Sequence, residues 1–207
     1  MVAGLLFPGG ILQAHPHVFV DGGIDFVMGD ENTLEALEVT WRYDEFETLY
    51  ILSVYGLELT TDGGLDEPDR QKLVQKRSKW PSEFDGSAHL SADGAPVALG
   101  RPVGFDAKLV SGRLEVSFSR YLHTPVDVSI RRIEVAFYEA TYFYAFSVTD
   151  RSKILGSATC DTTLTPFDPN KQDKELLSVL AELSREETPA ENNVGAKFAD
   201  RIALQCA

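Results

Sequence analysis

Apolar and polar residues alternate at a period of two through "HVFVDGGIDFVM", where Val18, Val20, Ile24, Phe26 and Met28 share one face. The same period recurs in "LEALEVTWRY" at Leu37, Val39, Trp41 and Tyr43. Between them "GDENT" supplies turn chemistry, so a β-hairpin is predicted. Its opposite face carries His17, Asp21 and Asp25, with Glu38 and Arg42 on the partner strand.

The period then lengthens. In "DEFETLYILSVYGLEL" Phe46, Leu49, Tyr50, Leu52 and Val54 recur near helical spacing, and Asp44 is placed to cap the helix. A second helix is predicted over "PDRQKLVQKRSKW", opened by Pro68 and stopped before Pro81. From Glu83 to about Leu164 the pattern is β-rich, with two short strands around Asp93-Gly94 followed by "RLEVSFSRYL", "RRIEVAFYE" and "YFYAFSV". The last of these is apolar on both faces, which predicts a central place in a sheet or sandwich. "KELLSVLAELSREE" sets Leu176, Leu177, Leu180 and Leu183 on one side of a short helix, and "RIALQC" reads as a closing strand. The expected fold is α+β: one antiparallel, β-rich, sandwich-like domain with a helix-loop-helix insertion near residues 44–80 and a short C-terminal helix.

Length agrees, since 207 residues make one good-sized domain with a substantial core. Thirty-two acidic residues against 19 basic ones give a net charge of -13, which disfavours nucleic acid and anionic lipid as partners. No stretch is long and apolar enough to span a bilayer.

"MVAGLLFPGGILQA", residues 1–14, is apolar, free of acidic residues and ends in Ala14, as the back half of a secretory signal peptide does. It lacks a basic n-region, and Leu12 stands where a small residue is expected. A buried N-terminal strand of a cytosolic protein is the alternative. Export would leave residues 15–207 as the mature chain. Cys160 and Cys206 are the chain's two cysteines, and neither lies in a Cys-x-x-Cys motif. In an exported protein a disulfide between them is the natural use, and two separate buried thiols are the alternative.

Candidate chemistry concentrates at His15-Pro16-His17. Cleavage after Ala14 makes His15 the first residue, so its α-amino group and imidazole can clamp one ion and His17 can add a second imidazole. Nitrogen ligands of this kind suit Cu, Ni, Co or Zn. Asp21, four residues further on the same strand face, is a candidate direct or supporting carboxylate. The alternative is a solvent-facing His17 after an unstructured His15. His89 and His123 fall in predicted strands, and nothing in the sequence attaches them to the pair.

"ELTTDGGLDEPD", between the two predicted helices, fits the register of a twelve-position calcium loop. Glu58 falls at the first place, Thr60 at the third, Asp62 at the fifth, Gly63 at the sixth, Gly64 at the seventh, Asp66 at the ninth and Asp69 at the twelfth. Glu58 is longer than the usual Asp, Thr60 is neutral and Asp69 is shorter than the usual Glu, so the loop is EF-hand-like with weak calcium affinity at best. No serine-hydrolase elbow, phosphate loop or zinc-protease motif is present. The aromatic run "YEATYFYAF" is expected to pack in the core, with a stacking platform for a ligand as the second reading.

The combination of "HPHVFVD", "VTWRYDEF" opening a helix, the EF-hand-like loop, "YEATYFYAF" and "FADRIALQC" resembles the DUF1007 family of bacterial periplasmic proteins of unknown function, from His15 to Cys206. The resemblance implies a periplasmic component linked to transport, often beside nickel, cobalt or zinc transporters, with no established catalysis. The expected function is therefore that of a non-enzymatic accessory to a divalent transition-metal transport system. It would bind metal at His15 and His17 and hand it to a membrane transporter or its periplasmic component. The main rival is a metal-free β-sandwich adaptor for a transporter or other envelope protein. A weaker one is an enzyme using an N-terminal copper site.

Overall fold

A computed structural model describes residues 15–81, 84–184 and 186–206; the predicted leader, residues 1–14, lies outside the described residues. The chain forms β1 (Val18–Met28), β2 (Thr33–Tyr43), α1 (Glu45–Tyr55), α2 (Glu67–Arg77), β3 (Ala88–Ala92), β4 (Ala95–Pro96), β5 (Val103–Val110) and β6 (Arg113–Asp127). Then follow β7 (Ile133–Phe137), β8 (Tyr144–Val148), β9 (Ile154–Leu155), β10 (Cys160–Thr165), α3 (Lys171–Leu180) and β11 (Asp200–Cys206).

Two sheets share one core. The first runs β5-β6-β2-β1-β8, with β9 also on β1, and the second runs β10-β11-β7-β3-β4. Ile24 and Phe26 of β1, Leu37 and Val39 of β2, and Leu114 and Phe118 of β6 pack with Leu90, Ile133, Phe137 and Ile202 of the second sheet. The predicted sandwich-like α+β class is the fold observed. The β1–β2 hairpin pairs in register from Val20 opposite Tyr43 to Ile24 opposite Val39 and beyond. Gly22 is required there, because a Cβ would stand 1.9 Å from the Thr40 backbone oxygen. The polar face forms as expected, with Arg42 paired to Glu115 at 2.7 Å.

Two buried polar side chains clamp the sheets together. Arg120 of β6, 5 % exposed, donates to the Ala88 and Gly100 carbonyls at 3.2 and 3.0 Å. Asp200 of β11 accepts the Val148 and Phe167 N–H groups, both at 2.7 Å. Cys160 and Cys206 lie directly opposite each other in the β10–β11 pair and are joined by a disulfide.

Three features depart from the expected pattern. The segment "YFYAFSV" is not central: β8 is an edge strand, parallel to β1. Its two apolar faces have different causes, because Phe146 and Val148 enter the core while Phe143, just before the strand, packs on the His17 ring. β5 had no apolar alternation to announce it, since Ala107 is its one buried residue and β6 pairs along one edge. α1 exists where predicted, capped by Asp44 and closed by left-handed Gly56, but it buries Thr48, Ile51 and Leu52. Phe46, Leu49 and Val54 are more than half exposed. The face is chosen by Thr48, whose hydroxyl accepts the Leu114 N–H at 2.9 Å and turns that side of the helix onto β6.

The remaining elements serve packing. α2 begins at its Asp66 cap with Pro68 in the first turn, buries Leu73 and ends at Ser78, short of the predicted stop. α3 carries a capping box of Asn170 and Asp173, and its Leu180 joins Val194 and Phe198 in a second, small cluster. No helix among the described residues is long and apolar enough to cross a membrane.

Candidate functional site

The histidine pair is held against the start of β8. The His17 and Val18 N–H groups donate to the Phe143 carbonyl at 2.9 and 3.3 Å, which lays the chain leading into β1 along that residue. The His15 and His17 rings meet edge to face with centroids 4.9 Å apart. Phe143 packs on both, 6.0 Å from His15 and 4.7 Å from His17. His15 is 4 % exposed, and its Nδ1 is buried with no hydrogen-bond partner among the described residues. Such an orphan costs roughly 1–3 kcal/mol unless something satisfies it. Nδ1 is also the ring nitrogen that closes a six-membered chelate with the residue's own α-nitrogen. The Glu187 carboxyl is held below its ordinary range chiefly by the Ser184 N–H.

Asp21 does not join the pair. It accepts Arg113 Nη1 at 2.7 Å, and four residues of strand carry it roughly 13 Å from His17. Sharing a strand face made the two look adjacent, whereas the extended rise separates them. Among the described residues no group of three or more His, Cys, Asp and Glu side chains is arranged to hold a metal ion. What this chain brings together is two imidazoles.

The EF-hand-like loop is closed by its own hydrogen bonds. Asp69 accepts the Glu58 N–H at 3.0 Å and Asp66 caps α2 through the Asp69 N–H at 2.8 Å. The Thr60 hydroxyl donates to Asp62 at 2.6 Å, and the Gly64 carbonyl accepts the Thr60 N–H at 2.9 Å. Gly63 takes the left-handed conformation of the sharp turn, φ 81°. Each candidate calcium ligand named above except the Glu58 side chain thus has a structural partner within a helix-to-helix turn in calcium-loop register.

The other histidines lie elsewhere. His123 stands in β6, its N–H donating to the Ala98 carbonyl. His89 in β3 stacks on Tyr138 at 3.8 Å and 13°, donates through Nε2 to the Tyr138 carbonyl at 3.1 Å and lies 3.3 Å from Asp85. Burial pushes its imidazole below the ordinary value; Asp85 and Glu139 oppose the shift and Arg120 assists it. A base depressed in the folded state contributes its stability above the unfolded value, about pH 6.5, and loses it as pH falls toward the folded one. Melting temperature is therefore expected to drop between pH 7.5 and pH 5, and to drop less in His89→Phe, which keeps the stack on Tyr138. Equal losses in the two proteins would assign the acid sensitivity to other groups.

Phe143 also lines a cavity of about 590 Å³. It is walled by Trp41, Tyr43, Trp80, Phe84, Tyr144 and Phe146, with Lys76, Arg77 and Lys79 from the end of α2 and the residues after it. Trp80 and Phe84 are stacked at 4.3 Å and 6°. Arg77 Nη2 donates to the Tyr43 hydroxyl at 2.8 Å. Burial pushes the Tyr43 phenol up and the Tyr144 phenol up to about 12, so both are neutral hydroxyls. The sequence hid this cavity because its walls come from four separate stretches, at residues 41–43, 55, 76–87 and 139–146. Its signals were the basic run "QKRSKW" and the aromatic run at residues 138–146.

An uncharacterized protein of Haemophilus influenzae (strain ATCC 51907 / DSM 11121 / KW20 / Rd) is 23 % identical over 211 residues, spanning 100 % of this chain and 97 % of that protein. The family model described as "Protein of unknown function (DUF1007)" matches residues 1–206, and the chain belongs to that family.

Proposed function

We propose that the protein is a periplasmic, non-enzymatic accessory of a divalent transition-metal transport system, binding one Zn, Ni, Co or Cu ion at His15 and His17. The observation that carries this reading is the meeting of the two rings, 4.9 Å apart, with His15 Nδ1 buried and without a hydrogen-bond partner among the described residues. Cleavage after Ala14 would convert the His15 nitrogen from amide to amine. The chain would then offer three nitrogens, a set matched to late divalent ions. The Cys160–Cys206 disulfide fits an oxidising compartment. Handing the ion to a membrane transporter or its periplasmic component completes the proposed role.

Chelator-competition titrations of protein beginning at His15 test it. His15→Ala and His17→Ala are each expected to weaken retention by about a hundredfold, which is the loss of roughly 2.7 kcal/mol of ligand binding. Asp21→Asn is expected to leave retention unchanged, because Arg113 already holds that carboxylate. Uptake that persists in the double histidine variant would remove the basis of the proposal.

A metal-free adaptor for a transporter or other envelope protein is the second reading. It is favoured by the exposed row of Phe46, Leu49 and Val54 on α1, the kind of patch that marks interaction surfaces. Co-purification of a partner that survives loss of both histidines but not Phe46→Ser/Leu49→Ser would favour it.

A further inference from the structure

We propose that the aromatic cavity binds a small organic anion with a flat apolar body, an arylalkanoate-type carboxylate, held by Arg77 at one end and by stacked rings along its length. This site shares the Phe143 wall with the histidine pair, but its proposed ligand contacts, Arg77, Trp41, Trp80 and Phe84, are separate from the two imidazoles.

At about 590 Å³ the cavity falls within the usual size of a ligand pocket. Three observations define the occupant. Trp41 is 4 % exposed, lines the cavity, and its Nε1–H is buried with no hydrogen-bond partner among the described residues. Indole N–H groups this deeply buried find an acceptor, because an unmet donor is costly. A ligand oxygen supplies one.

The second observation is charge. Arg77 is half-buried and its hydrogen-bond partner is the neutral Tyr43 hydroxyl; among the described residues no carboxylate forms an ion pair with it. Lys76 and Lys79 add two further cations to the lining. The acidic residue in the wall, Glu139, is committed to its own loop, where it accepts the Thr141 and Phe143 N–H groups at 2.9 and 3.0 Å. Three cations, Lys76, Arg77 and Lys79, thus face the cavity against the Glu139 carboxylate and the nearby charge of Glu47, an excess of positive charge beside low-dielectric walls in a chain of net charge -13. A planar guanidinium selects a carboxylate by two parallel hydrogen bonds.

The third is shape. The Trp80–Phe84 stack presents a flat wall, and Trp41 packs edge-on to both rings at 6.1 and 5.6 Å. A flat ring fits against such walls better than a branched aliphatic chain.

Trp41 and Trp80 are the chain's two tryptophans, so intrinsic fluorescence reports on this cavity directly. The full chain is titrated with 4-phenylbutyrate, 4-phenylbutanol and 4-phenylbutylamine, with calorimetry alongside. The acid is expected to change the emission saturably and to bind about tenfold more tightly than the alcohol, with the amine weaker still. Arg77→Gln is expected to lower affinity for the acid about tenfold and leave the alcohol unchanged. Equal binding of acid and amine, no saturable signal with the acid, or an Arg77→Gln protein that binds the acid like wild type would each overturn the proposal. If Arg77→Gln fails to fold, the surface variant Lys76→Gln/Lys79→Gln decides. Weakening of the acid by about threefold supports the charged cavity, and no change overturns it.

Discussion

Replacing both Cys160 and Cys206 by serine is expected to lower the unfolding free energy by about 4 kcal/mol, the chain-entropy value for a loop of this length. The bridge spans 46 residues of sequence separation, so it removes much conformational freedom from the unfolded chain. Little else holds the strand it secures. β10 is the edge of its sheet, pairs with β11 alone, and carries no buried residue. A chain of this size loses roughly 3 °C in Tm per kcal/mol, so thermal melts of the variant should shift down by about 10 °C. Hydrogen exchange should quicken first in residues 160–165. A melt that does not move would mean that the strand ladder suffices and the disulfide is incidental to stability.

Asp200→Ala is expected to cost about 3–5 kcal/mol, since each charge-assisted hydrogen bond contributes roughly 1.5–3 kcal/mol. Asp200 is 8 % exposed, and its carboxylate satisfies the Val148 N–H of β8 and the Phe167 N–H in the segment before α3. Its removal leaves two donors unmet between the sheets and frees the small cluster around α3. Asp200→Asn retains one acceptor and is expected to lose about half as much. Urea unfolding with an unchanged m value would read this out. A loss under about 1 kcal/mol would show that water replaces the carboxylate at no significant cost.

How legible these features were in the sequence depended on whether their cause was local. The β1–β2 hairpin and the Asp44 cap are set by neighbours a few residues away and formed where the pattern put them, whereas α3 starts three residues earlier than predicted, at its Asn170 capping box, and ends at Leu180, leaving Leu183 beyond the helix. The face that α1 buries is decided by Thr48 meeting Leu114, a partner 66 residues distant, so its own apolar spacing pointed to the wrong side. β5 has one neighbour and one buried side chain, which leaves no period to read. At the site, the histidines were visible because three consecutive residues hold them, and the fold does bring their rings together. Asp21 pairs instead with Arg113, because a shared strand face says nothing about the length of strand between two residues or about an arginine 92 positions away. The cavity of Trp41, Arg77 and Trp80 is assembled by topology alone, and neither the basic run nor the aromatic run discloses that they meet.

The measurement that bears most directly on the proposed role is native mass spectrometry of protein exported by its own leader, with equimolar Zn, Ni, Co or Cu offered in turn. The account predicts a chain beginning at His15 that retains one ion. A chain that begins at His15 and stays metal-free, or one that keeps residues 1–14, would contradict it.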